Sequence, residues 1–223
     1  MIWSAKGLTV FRAARGIAVG AALAAALTAC GGSGGAGSGS TGSGAGAGAK
    51  DGGEQSKAPV VLTWDQVRRA LVDTGSAPQG WEGFGVDIDK PAVSLKTCQA
   101  DTGTKCGGFV ALGSSHITQG GEGQVVFTIY AFQTPNGAKA AMKGLAAKER
   151  RSAGAGAKPL KVSADTDETD AFTGRNTEIF MRLGGTLVRV ASKGLPEGEP
   201  YDDFARLQID RIKQTVEGKD VGG

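Results

Sequence analysis

The sequence predicts an α+β domain: an antiparallel β-sheet of about five to six strands with three main helices packed mainly on one face, preceded by a disordered linker. Three observations predict it. Gly184-Gly185 separates two strand-like runs, Asn176–Leu183 and Thr186–Ser192, and a two-residue glycine turn between such runs makes an antiparallel hairpin. The run Gln124–Phe132, QVVFTIYAF, is apolar on both faces, as a central strand must be. Three segments repeat apolar residues at helical spacing, and the chain has tight turns but few long crossovers.

Taken in order, residues 1–29 form an export signal. Lys6, Arg12 and Arg15 stand in a segment without acids, and Ile17–Leu27 is an apolar run well short of the roughly 20 residues a membrane-spanning helix needs. Two alanines separate Arg12 from Arg15, so the adjacent arginine pair of the twin-arginine route is missing. Leu27-Thr28-Ala29-Cys30 has the form of a lipobox: an apolar residue three before a cysteine, with small residues between. Cys30 is therefore expected to carry a diacylglycerol after cleavage of the Ala29–Cys30 bond. Two or more acyl chains hold a protein stably to a bilayer, with burial contributing about 0.8 kcal/mol per CH₂. The expected location is the extracytoplasmic face of the cell membrane.

Residues 30–58 are then a flexible tether of Gly, Ser and Ala, whose 28 residues after Cys30 span about 30 Å on average. This composition generates two accidental motifs. Gly31–Gly35 matches G-x-S-x-G and Gly37–Gly42 matches G-x-G-x-x-G, but neither lies between a strand and a helix, as nucleophile exposure or phosphate binding requires. The remaining domain, residues 59–217, has a size suited to one core, and residues 218–223 are expected to be a disordered tail.

Within the domain, Leu62–Val72 is the first helix, opened by a capping box of Thr63 with Gln66 and ended by Gly75 and Pro78. Phe84, Val86 and Ile88 alternate with Gly85, Asp87 and Asp89 as a half-buried strand, and Val93 with Leu95 implies a short strand leading to Cys98. Gly108–Leu112 is a further strand. Thr134-Pro135 opens a helix to about Ser152, whose inner face is Ala138, Ala141, Met142 and Leu145. Leu160–Ala164 is an edge strand, and after the glycine hairpin Tyr201–Val216 closes the domain with an amphipathic helix.

Composition excludes some functions. Of 25 basic residues against 22 acidic, three basic ones lie in the leader, so the mature chain is neutral and offers no basic run for a nucleic acid. With Cys30 assigned to lipid, Cys98 and Cys106 remain as a pair in an oxidising compartment, bridging a turn-rich loop. A redox pair favours the closer C-x-x-C spacing, and a zinc site needs ligands that the single histidine, His116, cannot supply. No cofactor fingerprint or metal cluster is expected. Asp165, Asp167, Glu168 and Asp170 suit calcium by charge, but Thr169 and Asp170 stand where the EF-hand pattern wants a ligand and a glycine, so a solvated turn is the expectation. Lys148-Glu149-Arg150-Arg151 fits a helix end. Trp81 and Phe84 are expected in the core, the alternative being a ligand cleft. His116 in Ser114-Ser115-His116 is the sole material for a nucleophilic mechanism and is expected to be structural.

The order of features resembles secreted actinobacterial lipoproteins whose domain is similar to the extracellular sensor domain of mycobacterial serine/threonine kinases. The resemblance rests on Trp64 in the first helix, Cys98, the central strand and Ala-rich helix from Gln124 to Arg150, the Asp167-Glu168 turn, the hairpin EIFMRLGGTLVRVA and the closing helix. That family usually carries two disulfides, whereas one pair is available here. The resemblance implies an antiparallel sheet flanked by helices, with a groove for an extracytoplasmic ligand. A non-catalytic binding or sensor-like module for an envelope ligand or partner protein is the expected function, with an envelope-acting enzyme using His116 or a structural envelope protein as alternatives.

Overall fold

The computed structural model describes residues 59–120, 123–195 and 201–219, so the signal, Cys30, the tether and its accidental motifs lie outside the described residues. The chain opens with helix α1 (Trp64–Ala70), where Thr63 Oγ1 accepts from Gln66 N at 3.3 Å and Gln66 Oε1 accepts from Thr63 N at 2.8 Å, completing the capping box. Two short strands, β1 (Glu82–Gly83) and β2 (Asp87–Ile88), precede helix α2 (Pro91–Thr102). Long strands β3 (Phe109–Gln119) and β4 (Gly123–Phe132) lead to helix α3 (Pro135–Ala153). Then come β5 (Lys158–Pro159), β6 (Glu168–Thr173), β7 (Thr177–Leu183), β8 (Thr186–Lys193) and helix α4 (Tyr201–Val216).

The strands form one sheet in the order β1-β3-β4-β8-β7-β6-β5, with β2 also on β3, and every pairing is antiparallel. The α+β class and antiparallel sheet match the sequence expectation. β4 lies between β3 and β8, the interior position its doubly apolar pattern implied. Five strands are of substantial length and three have two residues each, which is how the total reaches eight.

Helix placement departs from expectation. Helices cover both faces of the sheet, and the described residues form four α-helices rather than three. α1 and α4 pack with Phe127, Ile129, Ile179 and Val188 in one core, while α2 and α3 pack with Tyr130, Phe132, Phe180 and Leu187 in another. Strands with both faces apolar require exactly such a cover on each side, so the expected one-sided packing would have left Phe132 and Phe180 in water.

The fourth helix is α2, which replaces the short strand expected at Val93 and Leu95. Its inward residues are Ser94, Cys98 and Thr102, at i, i+4 and i+8, while Val93 is 50% exposed. The buried stripe is small and polar, so apolar periodicity does not reveal it. Pro91 at the first turn and Gly103 in the left-handed region (φ 64°) mark its ends.

Smaller differences follow. The strand expected over Phe84–Ile88 is broken into β1 and β2, both along β3. The strand expected to end at Leu112 runs on to Gln119, which puts His116 in mid-strand. Of the edge strand expected over Leu160–Ala164, Leu160 donates to Ala171 O at 3.0 Å and Val162 and Ala164 pack on the core without strand pairing. At the far end Gly218 N and Lys219 N donate to Thr215 O and Gln214 O, a Schellman closure that holds the first two residues of the expected tail to α4.

Candidate functional site

The candidate site lies on the sheet face beneath α2 and α3, where strand alternation places successive rows of side chains. Register sets Leu112, Tyr130 and Leu187 abreast on β3, β4 and β8, and all three are buried. Two residues along the same strands the row is Ser114, Thr128 and Arg189, and after it His116, Val126 and Ala191. All six are half-exposed. The helices thus cover one end of this face and leave the other as an open floor. Phe84 borders it, its ring stacked on the His116 imidazole at 4.4 Å and an interplanar angle of 10°.

The edge of the floor is organised by charges buried among apolar strands. Arg189 donates from Nε to Glu178 Oε2 and from Nη2 to Glu178 Oε1, each at 2.8 Å, and lies 3.7 Å from Glu149 of α3. The Glu178 side chain is only 6% exposed, so its charge depends on this bidentate partner. Burial works against the Arg189 cation, but the Glu178 bonds and the carboxylates of Glu178 and Glu149 outweigh it and hold the guanidinium above its ordinary range. Among the described residues Arg189 Nη1 makes no hydrogen bond, which leaves donors for a ligand.

Tyr130 ties the covered end together. Its hydroxyl donates to Asp101 Oδ2 of α2 at 2.8 Å, while Lys148 of α3 donates to Ala100 O at 3.0 Å and approaches Asp101 at 3.9 Å. Burial, then the adjacent Asp101 carboxylate, pushes the Tyr130 phenol well above its ordinary value, keeping it a protonated donor. Beside the two carboxylates that hold Arg189, a cavity of about 160 Å³ is lined by Glu149, Ser152, Phe172, Arg175, Asn176 and Glu178.

The structure brings Ser114 and His116 to one face and turns Ser115 to the other, where its hydroxyl is buried without a partner. Asp87 stands opposite Ser114 on β2. Among the described residues no hydrogen bond joins His116 to Ser114 or Asp87, so no partner orients the imidazole as a base. The floor offers two hydroxyls, an imidazole, an aromatic ring and guanidinium donors, a set suited to hydrogen bonding and stacking with a polar ligand.

The other sequence candidates go elsewhere. Cys98 and Cys106 are bonded, with Cα atoms 6.4 Å apart, and close the end of α2 onto the start of β3. Trp81 packs edge-on against Phe204 at 5.1 Å in the α1/α4 core, whereas Phe84 lies at the floor. The acids diverge: Asp165 pairs with Lys213, Asp167 and Glu168 with Arg182, and Asp170 with Arg150. Among the described residues no group of three or more metal-ligating side chains is assembled, and no helix is long and apolar enough to cross a membrane. Sequence reasoning missed Arg189, Glu178, Glu149, Tyr130 and Asp101. The signal was present for two of them, since Glu178 and Arg189 interrupt otherwise apolar strands.

No family model matches the sequence, and no curated protein matches it significantly. Among solved structures the chain is similar to the extracellular domain of PknH from Mycobacterium tuberculosis, with 14% identity and a TM-score of 0.45, over 69% of this chain and 98% of that one. A likeness of that size assigns no ligand and no residue role here.

Proposed function

We propose that the chain is a lipid-anchored extracytoplasmic binding module, tethered through Cys30 and residues 31–58, that captures an envelope ligand or partner without catalysing a reaction. The observation that carries the binding role is the open floor: Ser114, His116, Thr128 and Arg189 are half-exposed on a sheet face whose other end is packed and buried. The Cys98–Cys106 bond fits an oxidising compartment outside the cytoplasm. The lipobox supports the anchor, and intact mass of membrane-extracted protein tests it: a mature chain with unmodified Cys30 rules the anchor out.

The binding role is tested by mass-spectrometric analysis of small molecules and proteins that co-purify with natively extracted chain. Wild type is expected to carry a partner that Thr128→Trp, which fills the floor, loses, with circular dichroism checking that the fold is kept. Empty wild-type protein, in both the small-molecule analysis and pull-downs, overturns the binding role.

A further inference from the structure

The mature chain is neutral in total, but the fold sorts its charges. α3 carries Lys139, Lys143, Lys148, Arg150 and Arg151, and its one acid, Glu149, turns inward to Arg189. Lys139, Lys143 and Arg151 are exposed and enter no ion pair among the described residues, whereas the acids nearest the helix, Asp101, Glu168 and Asp170, are already held by Lys148, Arg182 and Arg150. On the opposite side of the sheet α4 is balanced, with Asp202, Asp203 and Asp210 against Arg206, Arg211 and Lys213. The solvent side of α3 therefore presents Lys139, Lys143 and Arg151 as cations outside any ion pair among the described residues, and the acids that share a cleft with Lys139 and Lys143, Glu168 and Asp170, are already paired with Arg182 and Arg150. Its place in the chain matters as well. Gly185 N donates to Val60 O at 2.7 Å and Phe132 N donates to Gly185 O at 2.8 Å, so the first described residues join the domain two residues short of the α3 cap at Thr134.

We infer that the outer side of α3 docks on the anionic head groups of a phospholipid bilayer, with Lys139, Lys143 and Arg151 as its contacts. The inference builds on the anchored reading, because a tether that enters beside the start of α3 keeps this helix within reach of the membrane and raises its local concentration there. Each cation near an anionic surface contributes roughly 1 kcal/mol, and the attraction fades within a Debye length of about 10 Å at 0.1 M salt.

The test is flotation of the mature chain, residues 30–223 with Cys30→Ser so that no lipid assists, on vesicles of phosphatidylglycerol and phosphatidylcholine or of phosphatidylcholine alone. Binding is expected on the anionic vesicles only and is expected to vanish at 1 M salt. Lys139→Gln with Lys143→Gln is expected to weaken it about 30-fold, two residues at roughly 1 kcal/mol each, while Arg206→Gln on α4 leaves it unchanged. Equal partitioning to both vesicle types, indifference to the double substitution, or tighter binding to a short DNA duplex than to the vesicles overturns the inference. A lipidated Cys30 with no flotation defeats the docking and spares the anchor; flotation with an unmodified Cys30 in cells does the reverse.

Discussion

At the scale of single residues, the decisive pair is Glu178 with Arg189. Leaving either charge buried alone costs more than the pair contributes, and removing one partner of a fully buried pair typically destabilises by about 3–5 kcal/mol. The Arg189 side chain keeps 24% exposure, so Glu178→Gln or Arg189→Met is expected to cost about 2–3 kcal/mol, while the double replacement costs less than the sum of the two. Urea unfolding of the three variants measures this. Tyr130 adds a pH signature. Its folded-state value is raised, so its contribution is complete below the ordinary tyrosine value near pH 10 and is lost as pH rises above it, when the unfolded chain ionises first. Stability is expected to fall by up to about 1.4 kcal/mol per pH unit above pH 10, and Tyr130→Phe to lack that part of the slope. Neither effect was foreseeable from spacing alone. A tyrosine in an apolar strand signals burial, but its Asp101 partner is 29 residues away and depends on how α2 lies over the sheet.

At the scale of elements, what was legible depended on whether burial was apolar. α3, α4, the glycine hairpin and the interior strand announced themselves because their inward residues are mainly apolar, with polar exceptions such as Tyr130, Glu178, Gln208 and Arg211. α2 stayed hidden behind Ser94, Cys98 and Thr102, and the extension of β3 was masked by Gly113, Ser114 and Ser115. The contact between α2 and α3 yields a sharp prediction at Gly144. A Cβ there would stand 2.0 Å from the Thr102 carbonyl oxygen, which is backbone and cannot rotate away. Gly144→Ala would ordinarily strengthen a helix by about 1 kcal/mol, but here it is expected to destabilise by about 1–3 kcal/mol as α3 is forced off α2. The disulfide restrains the same junction across a sequence separation of 8. Its reduction is expected to lower stability by about 2.5 kcal/mol on loop-closure entropy, read as a shift in the urea midpoint with and without reductant.

At the scale of the whole molecule, two helix layers enclose the sheet unequally. α1 and α4 bury their side along its length, and Arg211 fastens them by donating to the carbonyls of Arg69 and Leu71 at the end of α1. α2 and α3 stop short, and the floor they leave open holds the polar and aromatic side chains on which the binding role rests. His116 reads from the sequence as structural, and the fold sets it on a face with side chains that no linear pattern joins: Thr128 and Arg189 come from positions 12 and 73 residues further along and form, with Ser114, the row next to that of His116 and Val126. Hydrogen exchange tests the claim most directly, comparing natively extracted protein with the same chain stripped by unfolding and refolded. The predicted result is slower exchange in the extracted protein at Ser114–His116, Val126–Thr128 and Arg189–Ala191, with the α1/α4 side unchanged. Identical exchange across those three segments would contradict a ligand-binding floor.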